Sequence, residues 1–531
     1  MRCCKHRLCC SITSICLITC GFVLTVAMAV CILAKTFDNL IKEKIKKNVE
    51  LKEGSETLKD WKSPSSQVYM QYFMFNLSNP SAVKNGGRPS VKQIGPYSYR
   101  ELRHNVPRYF NHSADTIVYF SEKAYVFDST TSCAGCDPIV DKIHTINIPL
   151  LKIAQLIEKI LKLLPSYKAL ILPEINEFLN ANDKVFAPRT VNGLLWGYED
   201  PILDYLKNFT SKLNKTLAKH GFKLPIPTVN PIIKLQTNNS NTTAEIHTGV
   251  GDINRIGQYV SYNNFRLLPW WHTKWANMLN GTDASMFHPD ISEKDKLYTF
   301  VSDVCRSLYL IFKTTTDVHG IPLYKFYTPK KLFKYTPDVR AGFCAPNKTC
   351  VPDGLLDISV CQPMQVPIVV SLPHFLFANE SVIKSVDGMH PNEDDHATFV
   401  SVEPNTGITM KASKRIQINV NVDKVDDIDE LKNLKKVYLP VLFVNESAVI
   451  SESDAEKFKK DVLLLIEILN IGKYVLLGVG CLMMLIGLLL LRYQRKLKND
   501  IYSESTVQVQ SHSDPSSEKS PLLQPAQNYV T

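Results

Sequence analysis

The sequence predicts an α+β protein: a large antiparallel sheet system with an inserted helical bundle, anchored by a transmembrane helix at each end. Three observations carry this. Two uncharged apolar runs lie near the ends of the 531-residue chain. All ten N-x-[ST] sequons fall between them. Strand-like alternation dominates the intervening sequence, except across residues 149–220, where the apolar spacing becomes helical.

The first run, Leu8 to Ala34, holds 27 residues. A helix needs about 20 apolar residues to cross a hydrocarbon layer of about 30 Å. The run is too long for a signal-peptide core and has no small-x-small exit before Lys35, so residues 11–34 read as a retained membrane helix. The second run, Tyr474 to Leu491, holds 18 residues and is followed at once by Arg492, Arg495, Lys496 and Lys498. That basic stop places residues 492–531 in the cytosol as a tail. Charge does not orient the first helix, because Arg2, Lys5 and Arg7 precede it and Lys35, Lys42, Lys44, Lys46 and Lys47 follow it. The sequons do, at Asn76, Asn111, Asn208, Asn214, Asn238, Asn241, Asn280, Asn347, Asn379 and Asn445. Glycans are added on the lumenal side. Residues 35–473 are therefore expected to form one lumenal or extracellular glycosylated ectodomain, and residues 1–10 a cytosolic N-terminus.

Hydrophobic residues make up 45% and charged residues 21%, which excludes a disordered or fibrous chain. The balance of 61 basic and 51 acidic residues gives +10, a mild excess that suits anionic surfaces. No zinc-finger spacing, P-loop or dinucleotide fingerprint is present, so nucleic acid is not an expected partner. The fourteen cysteines divide by compartment. Cys3, Cys4, Cys9 and Cys10 sit at the cytosolic membrane edge, where palmitoylation occurs. Cys16, Cys20, Cys31 and Cys481 lie within the spans. The other six are Cys133, Cys136, Cys305, Cys344, Cys350 and Cys361, an even number on the oxidising side, which suits three disulfides. The Cys133-Ala-Gly-Cys136 spacing favours a local disulfide over a redox site.

Residues 35–60 mix Lys and Glu with spaced apolar positions and read as a helix continuing out of the membrane. Residues 67–127 alternate and are rich in aromatics, as strands are. Within 149–220, Ile153, Ile157, Ile160, Leu161 and Leu164 share one helical face, which Leu150, Leu156 and Leu163 widen. Pro165 ends that helix; EINEFLN, residues 174–180, gives a second piece, and residues 199–221 a third. Lys152, Lys159 and Lys162 lie toward the remaining face. Residues 246–320 and 364–445 return to short strands, with RIQINVNV and VYLPVLFV the clearest. Residues 499–531 are polar and Ser-rich and read as disordered. Within them Glu518 lies four residues before the pair Leu522 and Leu523, an exposed acidic dileucine segment suited to a clathrin adaptor.

The only dense cluster of metal-type ligands is HPNEDDH, with His390, Glu393, Asp394, Asp395 and His396. Its spacing misses H-E-x-x-H, and Pro391 favours an internally hydrogen-bonded or solvated turn, so no metal is expected. The sequence has no GxSxG elbow, and no carboxylate pair stands out as a glycosidase site. No catalytic residue and no cofactor are expected.

Longer motifs carry a resemblance. They are GPYSYRE at Gly95–Glu101, LLWGY at Leu194–Tyr198, NGTD at Asn280–Asp283, SDVCRS at Ser302–Ser307 and GIPLYKF at Gly320–Phe326. LDIS at Leu356–Ser359, SLPHFLFA at Ser371–Ala378 and DGMHPNEDDH at Asp387–His396 complete them. Over residues 5–495 the chain resembles the class B scavenger receptor family, and in its tail that family's lysosomal member. The resemblance implies a β-barrel-like body with a helical apex and an internal apolar tunnel toward the membrane. It implies binding of lipids, sterols, anionic ligands or lipoproteins at the apex, where Lys152, Lys159, Lys162 and Lys168 stand, and passage of lipid through the tunnel. It also implies the bridges Cys305–Cys361 and Cys344–Cys350. A lysosomal hydrolase is a further partner by that resemblance, although residues 149–180 hold none of the histidine that the lysosomal member carries in its first apical helix. A cysteine of the surface receptors is replaced near Trp275, and Cys133 with Cys136 is an additional pair. A lysosomal or late endosomal receptor, a plasma-membrane scavenger receptor and a structural lysosomal glycoprotein all stay open, as does a homodimer.

Replacing Leu522 and Leu523 by Ala is expected to move the steady-state pool to the cell surface without altering folding or glycosylation. Each leucine contributes about 1.5–3 kcal/mol when fully buried in an adaptor pocket. Surface biotinylation of the variant and the parent protein measures the shift.

Overall fold

The computed structural model describes residues 2–163, 184–200, 242–335, 342–344 and 350–510, with residues 165–169, 172–173, 176–177, 179, 208, 211 and 232–233 between them. They form two compact units, residues 2–41 with 461–510 and the described residues of 42–460.

The first unit is a pair of helices, Arg2–Leu33 and Leu464–Gln510. Each contains a stretch long and apolar enough to cross a membrane. They run antiparallel and pack through glycines. A Cβ on Gly21 would stand 2.7 Å from the Gly480 carbonyl, and one on Gly487 would stand 2.6 Å from Ile18 Cγ1. Such close approach is how apolar helices gain contact where no hydrophobic effect drives them together. Polar pairs tie the two ends: Gln494 Nε2 donates to Ser14 Oγ at 3.2 Å, and Lys473 Nζ to Asp38 Oδ1 at 2.9 Å.

Two sequence expectations change here. The helix does not continue unbroken out of the first span. Lys35 adopts φ 53°, its N–H donates to the Ile32 carbonyl at 3.1 Å, and a new helix begins at Thr36 and runs to Val49. The tail is not disordered from residue 499, because the second helix persists to Gln510. No Gly or Pro interrupts residues 492–510, and a helix already nucleated in the span extends at little cost.

The second unit is built on strands. In chain order these are β1 (Val68–Leu77), β2 (Val91–Asn111), β3 (Thr116–Phe127), β4 (Lys142–Ile146), β5 (Phe186–Thr190), β6 (Tyr198–Glu199), β7 (Ile232–Ile233), β8 (Thr243–His247) and β9 (Tyr259–Tyr262). They continue with β10 (Lys296–Val301), β11 (Arg306–Val318), β12 (Ile321–Tyr327), β13 (Leu355–Asp357), β14 (Ile368–Ser371), β15 (Phe399–Val402), β16 (Thr409–Val422) and β17 (Val437–Val449). One antiparallel sheet takes the order β10-β11-β12-β15-β16-β17-β1-β2-β3-β8-β9, with β14 and β13 added beside β16. The segment Gly281–Thr282 then joins its two edges. The Gly281 carbonyl accepts from Tyr259 N–H at 2.9 Å on β9. On the other side Thr282 N–H donates to the Tyr298 carbonyl at 3.2 Å, and its carbonyl accepts from Phe300 N–H at 2.9 Å on β10. The sheet is thereby a nearly closed barrel with few free edges.

Gly95 shows why GPYSYRE has its form. It holds φ 128° in the bulge of β2, and a Cβ there would lie 2.7 Å from the Tyr72 carbonyl. In LLWGY, Leu194 and Leu195 are buried, Trp196 sits 5.1 Å from both Tyr99 and Tyr125, and Gly197 ends the helix Val191–Trp196 at φ 130°. The bridges Cys305–Cys361, Cys344–Cys350 and Cys133–Cys136 are all closed. The first of them anchors a small core with Trp271 and Phe343, where Trp271 Nε1 donates to the Cys305 carbonyl at 2.7 Å.

The first helix of the 149–220 region spans Ile148–Leu163, with a 3₁₀ turn at Pro165–Tyr167 after it. One described segment of 149–220 departs from the helical expectation. Residues 186–190 form β5, paired with β4, before the short helix Val191–Trp196. Pro188 suits an edge strand and not a helix interior. The second and third expected helices fall largely outside the described residues.

Replacing Gly281 by Ala, which preserves the Asn280 sequon, is expected to open the clasp. The residue holds φ 84°, and a Cβ would stand 1.9 Å from the Tyr298 carbonyl. Strain and overpacking together should cost about 2–5 kcal/mol. A lowered melting temperature and retention of immature glycans would register it.

Candidate functional site

On the helix Ile148–Leu163, Leu150, Leu151, Ile153, Ala154, Ile157 and Leu161 are buried in the largest core cluster among the described residues, beside Val422, Val425, Ile428 and Leu431. The apolar face of the helix is therefore spent on packing. The side chains of Ile160, Leu163 and Leu164 lie outside the described residues. The four lysines have different surroundings. Lys152 Nζ donates to the Gln365 carbonyl at 2.9 Å, and burial, with a smaller push from Lys159, lowers its pKa. Lys162 pairs with Glu158 at 2.7 Å, one turn back, and Lys168 with Asp427 at 2.6 Å. Lys159 is exposed and has no ion-pair partner among the described residues.

A second polar feature lies on the inward wall of the barrel. Side chains alternate across a strand, so Glu101 and Arg103 on β2 share a face with Lys123 on β3, Glu446 on β17 and Lys414 on β16. Arg103 donates to Glu101 at 2.6 Å and to Glu446 at 3.2 Å. Lys123 lies 3.5 Å from Glu101, and Lys414 lies 2.5 Å from Glu446 and 2.7 Å from Asp303. Asp303 belongs to the corner between β10 and β11, three strands away from β16 around the wall. A contact between such distant strands crosses the interior, which identifies this face as the inner one. Three cations and three carboxylates thus alternate in a belt whose formal sum is zero.

Burial works against every charge in the belt, and the neighbours outweigh it for four of them. Glu101, then Glu446, hold Arg103 above the ordinary guanidinium range. Asp303 and Glu446 do the same for the Lys414 ammonium, while Lys414 and Arg103 hold Glu446 well below the carboxylate range. Lys414 also lowers Asp303. To one side of the belt the same face is apolar and aromatic, with Met70, Tyr72, Met74, Tyr97, Tyr99, Leu442 and Val444. The sequence reading missed this belt. Its one signal was the pair Glu101 and Arg103, two apart and so on one face of a strand.

SLPHFLFA and HPNEDDH meet at a third cluster. The rings of His374 and His396 are buried and stack at 4.5 Å. His374 Nδ1 accepts from His390 N–H at 3.1 Å, and its Nε2 donates to Gln93 Oε1 at 2.6 Å. His396 Nδ1 accepts from Asn392 N–H at 2.9 Å. Asn392 caps the turn Glu393–His396, accepting from the Asp394 and Asp395 N–H groups, and Glu393 pairs with Lys313 at 2.7 Å. Both imidazoles accept at Nδ1 and are therefore neutral. Burial, with His396 and His390, pushes His374 down to about 4, and burial also lowers His396, which faces Asp395 and Arg415. Among the described residues no group of three or more His, Cys, Asp and Glu is placed to hold a metal.

Of the sequon asparagines, Asn208 and Asn379 are exposed, and Asn76, Asn111, Asn280 and Asn445 are half-buried. The Asn445 amide donates to Gln71 Oε1 at 2.9 Å, a contact that an attached sugar would replace. Asn214, Asn238, Asn241 and Asn347 lie outside the described residues, as do Glu518, Leu522 and Leu523. The backbone at Cys3, Cys4, Cys9 and Cys10 is helical.

The model for the CD36 family matches residues 19–491. Human lysosome membrane protein 2 is 35% identical over 466 residues, covering 87% of this chain and 91% of that protein. The rat protein of the same name is 33% identical over 465 residues, with the same coverage of both chains, 87% and 91%. Pig scavenger receptor class B member 1 is 29% identical over 472 residues, 87% of this chain and 86% of that one.

The histidine cluster makes stability depend on pH in a definite direction. His374 titrates near 4 in the fold and near 6.5 when unfolded, so the unfolded chain binds the extra proton between those values. The stabilisation is complete above about 6.5 and is lost as pH falls toward 4, by roughly 2–3 kcal/mol. Melting temperatures from pH 7 to 4.5 should fall, and His374→Gln should flatten that slope while lowering stability at pH 7.

Proposed function

The chain belongs to the CD36 family, and on that premise we propose that it is a lysosomal or late endosomal membrane receptor that binds ligands at its apex and handles lipid through the barrel interior. The observation that carries the reading is the nearly closed barrel whose inner face joins a broad apolar and aromatic surface to a balanced belt of charge. An acyl chain or sterol gains about 0.8 kcal/mol for each methylene that it buries. A tunnel lined this way could therefore compete with a bilayer for a lipid tail. The belt would meet the polar end of the same molecule.

In this reading both termini are cytosolic: an antiparallel helix pair puts them on one side of the membrane, and the basic stop after Leu491 with the sequons between the helices supports the cytosol as that side. The sugars cover the lumenal body, Cys3, Cys4, Cys9 and Cys10 carry palmitate, and Glu518, Leu522 and Leu523 engage a clathrin adaptor. A lysosomal hydrolase and a second copy of the chain are further partners at the apex. The protein has no catalytic chemistry of its own. A second reading, a plasma-membrane receptor for lipoproteins or anionic particles, is favoured by the scavenger-receptor relative. Surface biotinylation of the unmodified protein distinguishes them: a mainly intracellular, lysosome-resident pool supports the first, and a mainly surface pool the second.

At the apex the pairing of Lys152, Lys162 and Lys168 leaves Lys159 as the principal attractor of anionic head groups. Lys159→Glu is expected to weaken binding to anionic liposomes roughly fivefold, from about 1 kcal/mol per lysine near a charged surface. Lys162→Glu, which also disturbs the Glu158 pair, should change it less after correction for net charge. Co-flotation across a salt series measures both.

A further inference from the structure

The belt leaves hydrogen-bonding capacity unused. Tyr72 is 3% exposed and Glu101 5%, and both sit on the inner face. Arg103 and Lys123 both address Glu101 Oε1. Glu101 Oε2 and the Tyr72 hydroxyl are buried and have no hydrogen-bond partner. The Tyr72 hydroxyl lies in the field of Glu101, Glu446 and Asp303. A buried polar group left unpaired costs about 1–3 kcal/mol. With the Tyr99 hydroxyl, three such groups stand on one wall, a built demand for a partner.

Room for that partner exists beside the belt. The Asp303 side chain keeps 60% of its surface open and Lys414 31%, although both are deeply enclosed by the surrounding chain. Lys123 keeps 31% and Arg103 22%. Side chains that are enclosed by protein and still have free surface border internal space. On the same face Val444 is half-buried, whereas Met70, Met74, Tyr97 and Tyr99 are buried against Ile143, Val191, Leu194 and Leu195.

We propose that Tyr72 and Glu101 form a head-group site inside the barrel, selective for amphiphiles whose head donates a hydrogen bond, a hydroxyl or a primary ammonium. The proposal deepens the lipid-handling reading and rests on it. An ionised carboxylate only accepts, so Glu101 Oε2 requires a donor. The Tyr72 hydroxyl can donate to a ligand hydroxyl or accept from an ammonium. The belt's cations are matched one for one by its anions, so no surplus positive charge is left to hold a carboxylate head. A fatty acid anion would bring like charge toward Glu101 and leave its oxygen unsatisfied.

The test uses the full-length protein in detergent and three photoactivatable probes with the same 18-carbon chain, ending in an alcohol, an amine or a carboxylate. The alcohol or the amine should label the ectodomain at least fivefold more than the acid at pH 7, and whichever is stronger identifies the source of the donor. Tyr72→Phe, which keeps the ring and its packing, should reduce that labelling at least threefold without changing the melting temperature by more than a few degrees. Glu101→Gln gives a second arm: it should narrow the preference over the acid even if it lowers stability. Equal labelling by all three probes, or unchanged labelling in Tyr72→Phe, would overturn the head-group site and leave lipid handling standing. Absence of labelling by every probe would overturn the lipid-handling reading itself.

Discussion

The barrel depends on satisfying the backbone at its two open edges. β9 and β10 would each present a row of unpaired N–H and carbonyl groups. A single extended segment, Gly281–Thr282, serves both, accepting from Tyr259 on one side and bonding Tyr298 and Phe300 on the other. Only glycine fits, because the Tyr298 carbonyl occupies the position where a Cβ would lie. Closure has a further consequence. Once the wall is continuous, the inward half of every alternating strand is cut off from bulk water, so its residues must be apolar, hydrogen-bonded or charge-paired.

The inner face obeys that requirement in layers. Aromatic and aliphatic side chains fill most of it, and the charged residues gather in one belt in which each is flanked by opposite charge. Breaking one partner of such a pair exposes the other to an uncompensated burial that typically costs about 3–5 kcal/mol. The belt thus constrains the fold as well as any ligand. The apical helix follows the opposite logic. Its apolar face is committed to the core under β16 and β17, and among the described residues Lys152, Lys162 and Lys168 are engaged while Lys159 is not.

The membrane anchors, the strand-rich body and the first apical helix were legible because each rests on a local pattern: an uncharged run, a period of two, a period near 3.6. The closed bridges at Cys305–Cys361 and Cys344–Cys350 followed from resemblance, since six cysteines alone allow many pairings. What local pattern could not reveal was anything set by distant partners. Phe186–Thr190 reads as part of a helical region until β4 pairs with it. Glu446 and Asp303 are 143 positions apart, yet both bond Lys414. His374 and His396 stand in separate motifs, and their stacking explains why both motifs carry histidine without a metal. The start of the tail, residues 499–510, was misread for the converse reason: its composition suggested disorder, but the helix before it carries through Gln510.

The central claim is that the closed barrel holds lipid in its interior, with the polar end at the belt. A cryo-electron microscopy structure of the full-length protein in lipid nanodiscs tests it most directly. The account predicts elongated density inside the barrel, running past Val444 and ending beside Tyr72 and Glu101. An interior that holds only side chains and compact, water-sized density would contradict it.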